Sequence, residues 1–196
     1  MNTLFIIIVI ALLAGAFYVV SVYNGLQALL TQIEAATQEI GNQLKRQANL
    51  IPNLEKSAKA ILKQEKSIFE MLSEARKSVN QAVETGSASA IEQAEKQIQA
   101  VLPKLQVVME DNPEMKSNET VQQFMAELRD TADKVTYARR AVIDLSQQYN
   151  QRLVVFPSNI IANMFGFKKQ AGLQMPTDGD HLSVSDDETQ SPEVSL

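Results

Sequence analysis

The residues best suited to chemistry are few. The only histidine, His181, stands between Asp180 and Leu182 in a stretch rich in Pro, Gly, Ser, Thr and carboxylates. General acid–base work and metal binding require an imidazole held in fixed geometry, and such a stretch has little apolar surface with which to hold one. A solvated tail residue is the expectation for His181. The absence of cysteine removes disulfides, thiolate nucleophiles and Cys-ligated zinc. No Gly-rich phosphate loop, zinc spacing or nucleophile elbow occurs. Carboxylates are plentiful, but Glu55 with Lys59, Glu92 with Lys96 and Asp130 with Lys134 stand four residues apart, the spacing of charge pairs on exposed helix faces. A di-metal site in a helical bundle draws on Glu-x-x-His motifs, and no histidine precedes His181. Glu65, alone on an otherwise apolar seam, reads as a rim residue. These observations point to no catalytic residues, cofactor, metal or small-molecule substrate, and so to a protein that is not an enzyme.

Composition agrees with a structural role. The 196 residues carry a net charge of −5, and six acidic residues with no basic ones fall in 170–196, which leaves residues 1–169 nearly neutral. Nucleic-acid binding draws on basic stripes that neutralise phosphate, and none is present. Gly is scarce, Trp is absent, and Ala, Gln, Leu, Ile, Glu and Lys dominate, a helix-forming set that favours an all-α fold.

Leu4 to Val22 is almost wholly apolar and uncharged, close to the roughly 20 residues that span a hydrocarbon core. It reads as a transmembrane helix with Phe17, Tyr18 and Tyr23 at the headgroup layer. A cleaved signal peptide is the competing reading, but the Met1-Asn2-Thr3 leader lacks a basic region and the apolar run continues past Ala14-Gly15-Ala16. Ala16 also stands where a lipoprotein signal needs cysteine.

Beyond the span, apolar residues recur with 4,3 spacing: Leu26, Leu30, Ile33, Thr37, Ile40 and Leu44, then Ile51, Leu54, Ala58 and Ile61, then Ile68, Leu72, Ala75, Val79 and Ala82, with Gln47 and Glu65 filling two seam positions. This is the period of helices in a left-handed bundle or coiled coil. Thr85 to Ser89 supplies a stop and restart, with Gly86 as C′ and Ser87 or Ser89 as the next cap. Ile91, Glu95, Ile98, Leu102, Leu105 and Met109 continue the pattern past Pro103. After a cap at Ser117 or Asn118, an unbroken seam runs from Val121, Phe124, Leu128 and Thr131 through Tyr149 and Leu153 to Phe156. A single helix over 23–84 would reach about 90 Å and leave much of its seam uncovered. Pro52, which lacks a donor and clashes with the preceding turn, is therefore read as the break. Four helices over about 23–50, 53–84, 88–111 and 118–156 then form an antiparallel four-helix bundle. Residues 1–22 are the anchor, 23–169 the bundle, and 170–196 an acidic tail expected to be disordered.

Several unusual strings agree with one known family. Tyr23-Asn24-Gly25-Leu26 follows the span, and Gln43-Leu44-Lys45-Arg46-Gln47-Ala48-Asn49-Leu50-Ile51-Pro52-Asn53-Leu54 resembles the basic, Leu-Ile-Pro-Asn-Leu signature of LemA proteins. Glu127-Leu128 with Thr131, Ala138-Arg139-Arg140, Tyr149-Asn150, and Phe156-Pro157-Ser158-Asn159 with Gly166-Phe167 come in the family's order. The resemblance covers roughly residues 1–169 and implies an N-terminal anchor followed by a four-helix bundle. Departures include Asn49, where an acidic residue is usual, and Val142-Ile143, where a Tyr-Asn pair is common.

The functional expectation is a membrane-anchored, non-enzymatic bundle that acts as a scaffold or adaptor for protein partners. The alternative is a structural protein that contacts or shapes lipid through amphipathic segments. Candidate partner or lipid contacts are Lys45, Arg46 and Asn53 near Pro52, and Ser158, Asn159, Lys168 and Lys169 after the last long helix. Ile160, Ile161, Met164, Phe165 and Phe167 with the two lysines have the composition of an interfacial anchor; the favoured expectation is that this segment caps the bundle core. The uncharged leader is more easily translocated than the bundle, which suggests a single-pass inner (plasma) membrane protein with a cytoplasmic bundle.

Overall fold

The computed structural model describes residues 2–62 and 65–173. Of the acidic tail read over 170–196, residues 174–196, His181 with them, lie outside the described residues; 170–173 are held on the body, Gln170 by Asn150 and Leu173 against the core, because the apolar Leu173 and a backbone amide and carbonyl find partners there. Among the described residues every regular element is helical: α1 (Asn2–Ile61), α2 (Lys66–Thr85), α3 (Ala88–Asp111), α4 (Pro113–Lys116), α5 (Glu119–Val154) and α6 (Ser158–Met164).

The largest departure from expectation is α1. It runs unbroken through Pro52 for 60 residues, about 90 Å at helical rise, so the apolar leader and the first packed helix are one rod. A proline inside a helix costs about 3 kcal/mol. Ile51 and Leu54 on either side of it are both 0% exposed, and burying each contributes roughly 1.5–3 kcal/mol. The seam therefore outweighs the lost backbone bond. α1 ends instead at Ile61, with the Leu62 N–H donating to the Ala58 carbonyl at 2.7 Å, and α2 begins at Lys66; the next seam residue would be Glu65. Glu65 is exposed at the N-cap of α2, a carboxylate left in water where the heptad would have buried it.

The other boundaries follow local chemistry. Gly86 adopts the left-handed conformation (φ 60°) and its N–H donates to the Ala82 carbonyl, the geometry that ends a helix at glycine. Ser87, Asn112 and Asn118 cap α3, α4 and α5, their side-chain oxygens accepting the backbone N–H of Ala90, Met115 and Val121.

α5 runs antiparallel to α1: Arg46 faces Glu127, and Arg152 faces Gly25. α2 folds back on α3 and packs against the distal part of α1, while α3 also lies against α5. Two clusters result. The distal one joins Ile40, Leu44, Ile51, Leu54 and Ala58 of α1 to the seams of α2, α3 and α5. The basal one, nearer the apolar leader, contains Leu26, Leu29, Ile33, Tyr149, Leu153 and Ala162.

The predicted seams are buried at most positions, including Gln47 at 2%. Thr37 is exposed; its hydroxyl donates to the Ile33 carbonyl at 2.8 Å, and Ala36 packs against the distal cluster instead. Phe156 is 75% exposed because α5 stops at Val154 and the heptad phase no longer applies. The leader is exposed from Leu4 to Tyr18, and α1 is the single described helix long and apolar enough to cross a membrane.

Candidate interaction surface

The predicted contact residues fall into two separate groups. Arg46 and Gly25, which face Glu127 and Arg152 on α5, are 21 residues apart along α1, about 30 Å at helical rise. Lys45, Arg46 and Asn53 belong to the distal region; Ser158, Asn159, Lys168 and Lys169 belong to the basal one. The structure does not bring them into one site.

In the distal group Lys45 points to solvent. Arg46 donates to a Glu127 carboxylate oxygen at 3.1 Å, and Gln123 donates to the other at 3.1 Å. The Gln123 hydrogen bond, then the Arg46 contact, holds the Glu127 carboxyl below its ordinary value. Asn53 is used internally: its amide donates to the Asn49 carbonyl at 3.1 Å. Arg46 and Asn53 are thus engaged within the fold, whereas Lys45 makes no ion pair among the described residues.

The better-organised polar cluster was not singled out as a site from sequence. Arg139 of α5, with its side chain 17% exposed, reaches Glu95 at 2.7 Å and Glu92 at 3.5 Å on α3. Thr136 donates to the other Glu95 oxygen at 2.6 Å. Glu92 also holds Lys96 at 3.2 Å, the i,i+4 pair read from sequence. Glu95 on the α3 seam was the available signal, because a carboxylate facing a core requires a cation opposite. The arrangement locks α3 to α5. Glu55–Lys59 and Asp130–Lys134 form at 2.5 and 2.7 Å. Among the described residues no three His, Cys, Asp or Glu side chains converge as a metal set.

The basal group is built around aromatic rings. Tyr149, 1% exposed, packs edge-on to Phe167 with centroids 6.5 Å apart, while Tyr23 contacts Phe165 at 5.0 Å and Phe167 at 5.6 Å. Burial raises the Tyr149 phenol above its ordinary value. Asn150 then pins the chain after α6: its amide donates to the Gln170 carbonyl at 2.8 Å and its oxygen accepts the Gln170 N–H at 2.9 Å. Ser158 Oγ lies 2.7 Å from the Arg152 carbonyl oxygen and 2.8 Å from that of Val155, where α5 ends. The half-buried Asn159 carries a side-chain oxygen with no hydrogen-bond partner among the described residues. Lys168 and Lys169 are exposed.

The 158–169 segment therefore has two faces. Ile161 and Ala162 are buried and Phe167 packs on the basal cluster, so one face caps the core. Ile160, Met164 and Phe165 are at least half exposed, as are Val154 and Phe156, with Val155 close behind. Val154 and Val155 lay outside the sequence reading; they follow Leu153, the last buried residue of the seam, and only the end of α5 leaves them uncovered.

Comparison with curated proteins gives no match. The LemA family profile matches residues 36–185, which takes in the distal half of α1, all of α2 to α6 and the segment pinned by Asn150. With the Leu-Ile-Pro-Asn-Leu string inside a helix and the Tyr149-Asn150 and Gly166-Phe167 strings meeting in the basal cap, the chain belongs to the LemA family.

Proposed function

We propose that this LemA protein is a membrane-tethered, non-catalytic scaffold whose helical body is held at a fixed height and orientation above the bilayer for recognition by protein partners. The continuity of α1 from Asn2 to Ile61 carries the reading. A flexible linker between span and body would let the body tumble; a single helix transmits the orientation of the span to the seams of α2, α3 and α5. In this reading residues 4–22 cross the inner membrane once, α1, α2, α3 and α5 form the antiparallel four-helix bundle with coiled-coil-like packing, and the body faces the cytoplasm. The uncharged leader supports that side, since it crosses a bilayer more easily than a lysine-bearing body. The solvent-facing side chains of α2, together with Lys45, offer partner contacts away from the lipid.

The test is site-specific photo-crosslinking in intact cells from Lys45 and Arg76, both solvent-facing, comparing the native chain with one carrying a Gly-Ser spacer after Val22. The expectation is a discrete crosslinked protein at each site that is lost or changed by the spacer while the chain stays in the membrane fraction. Crosslinks indifferent to the spacer contradict the oriented-scaffold reading, and a chain recovered free of membranes contradicts the tether.

A further inference from the structure

We infer that the basal end carries a second lipid-contacting element, a hydrophobic foot made of Val154, Val155, Phe156, Ile160, Met164 and Phe165 that sits in the bilayer surface beside the exit of α1. The inference rests on the tethered reading above and adds to it a specific surface and a specific occupant.

Three observations converge on lipid. The first is height. α5 descends antiparallel to α1 until Arg152 stands against Gly25, so Val154 to Phe156 lie at or past the level of Tyr23, just above the apolar leader. Phe165 touches the Tyr23 ring directly, and Val22 packs on the same cluster as Ala162. The foot is therefore continuous with the exposed apolar surface of α1.

The second is exposure. Phe156 is 75%, Met164 65% and Ile160 57% exposed. Ile160 and Met164 stand one turn apart on α6, on the face opposite Ile161 and Ala162. A patch of this kind on a surface bathed by water would be a liability. A short helix with one face on its own core and the other in the acyl–headgroup boundary has no such penalty.

The third is charge. Residues 1–33 and 145–173 contain no Asp or Glu, and their only cations are Arg152, Lys168 and Lys169, all three exposed. The nearest carboxylates in sequence are Glu34 and Asp144. An end without anionic side chains and with three cations beside an apolar patch complements an anionic leaflet. The distal region, by contrast, mixes both signs along every helix.

The absence of cysteine makes the test direct in the full chain. Single nitroxides are placed at Ile160→Cys, Met164→Cys, Val20→Cys and Gln147→Cys, and the protein is reconstituted in phosphatidylethanolamine–phosphatidylglycerol vesicles. Collision with oxygen, which partitions into lipid, is compared with collision with a water-soluble nickel chelate. The expected result is an oxygen-weighted ratio at Ile160 and Met164 shifted toward that of Val20, with Gln147 nickel-weighted. If Val20 is lipid-exposed but Ile160 and Met164 follow Gln147, the foot is wrong and the tether stands. Shielding of Ile160 and Met164 from both reagents would mean a second copy covers them, which also overturns the inference. A nickel-weighted Val20 removes the tether and the foot together.

Discussion

The distal and basal regions solve the same packing problem by different means. Distally, four seams meet, so Leu54, Leu72, Leu105 and Leu128 are sealed on all sides, and ion pairs such as Arg139 with Glu92 and Glu95 lie at the flanks, where water covers what the helices do not. Basally, only α1 and α5 remain, and two helices cannot enclose a core. The missing wall is supplied by α6 and the segment after it, through Phe165, Phe167 and the Asn150–Gln170 pair. What differs outside is equally informative: acidic and basic side chains alternate over the distal surface, whereas the basal surface is apolar with cations alone. The first is a surface suited to water; the second is the one we propose meets lipid.

If the basal cap is a local unit resting on one aromatic ring, Tyr149→Ala should cost about 3–5 kcal/mol there, and hydrogen exchange should show α6 and 165–173 deprotected while α2 and α3 keep their protection. Leu128→Ala, at a 0% exposed distal position, should instead lower protection throughout by about 2–5 kcal/mol. Equal loss in both regions after Tyr149→Ala would erase the distinction.

A distal counterpart is Arg139→Leu, which leaves Glu92 and Glu95 facing an apolar side chain. A loss of about 2 kcal/mol in denaturant unfolding is expected, largely recovered when Glu92→Gln and Glu95→Gln are added. Failure of the rescue would mean that Arg139 acts through its stem and not through its charge. Asn150→Ala removes both hydrogen bonds to Gln170, and about 1 kcal/mol should be lost locally, read as faster proteolysis after Lys168 or Lys169 with the midpoint of distal unfolding unchanged.

The two regions should also differ in pH response. The folded-state value of Tyr149 is raised by burial, so its contribution is whole below the ordinary tyrosine range near 10 and is lost as pH rises through the folded value. Basal exchange protection should fall in alkali and be spared in Tyr149→Phe. Glu127 is shifted the other way, by the Gln123 and Arg46 hydrogen bonds. Its contribution is present above the ordinary carboxylate range and is lost as pH falls through the folded value, with a small, salt-screened effect because the pair is exposed. Smallest of all is Gly25→Ala. A Cβ there would stand 2.7 Å from Arg152 Nη1, but a guanidinium at the end of a flexible stem can move aside, so a change within about 0.5 kcal/mol in thermal unfolding is expected.

How legible each region was in the chain follows from the range of its contacts. Distal seams repeat every seven residues, so Ile68, Leu72, Ala75, Val79 and Ala82 announce one buried face, and Gly86 with Ser87 marks the turn. Pro52 misled because a local backbone penalty was set against a seam whose burial energy depends on helices elsewhere. The basal cap was harder to read. Tyr23 and Phe165 stand at opposite ends of the folded chain, and no periodicity relates them. Ser158 and Asn159 were read as contact residues, and the place of the Ser158 hydroxyl at the end of α5 follows from where that helix stops, which the seam alone does not reveal. The short apolar stretch was read as either a core cap or a lipid anchor; its inner face is the cap.

In the proposed reading the membrane span and the first helix of the body are one rigid rod, α1. Spin labels at Phe17→Cys and Gln38→Cys, both on exposed positions of α1, bracket the exit from the apolar leader. Pulsed dipolar spectroscopy of the full chain in vesicles should give one narrow distance distribution near 32 Å, the rise of 21 helical residues. A broad distribution, or one centred well below that distance, would show a hinge at the membrane surface and contradict the account.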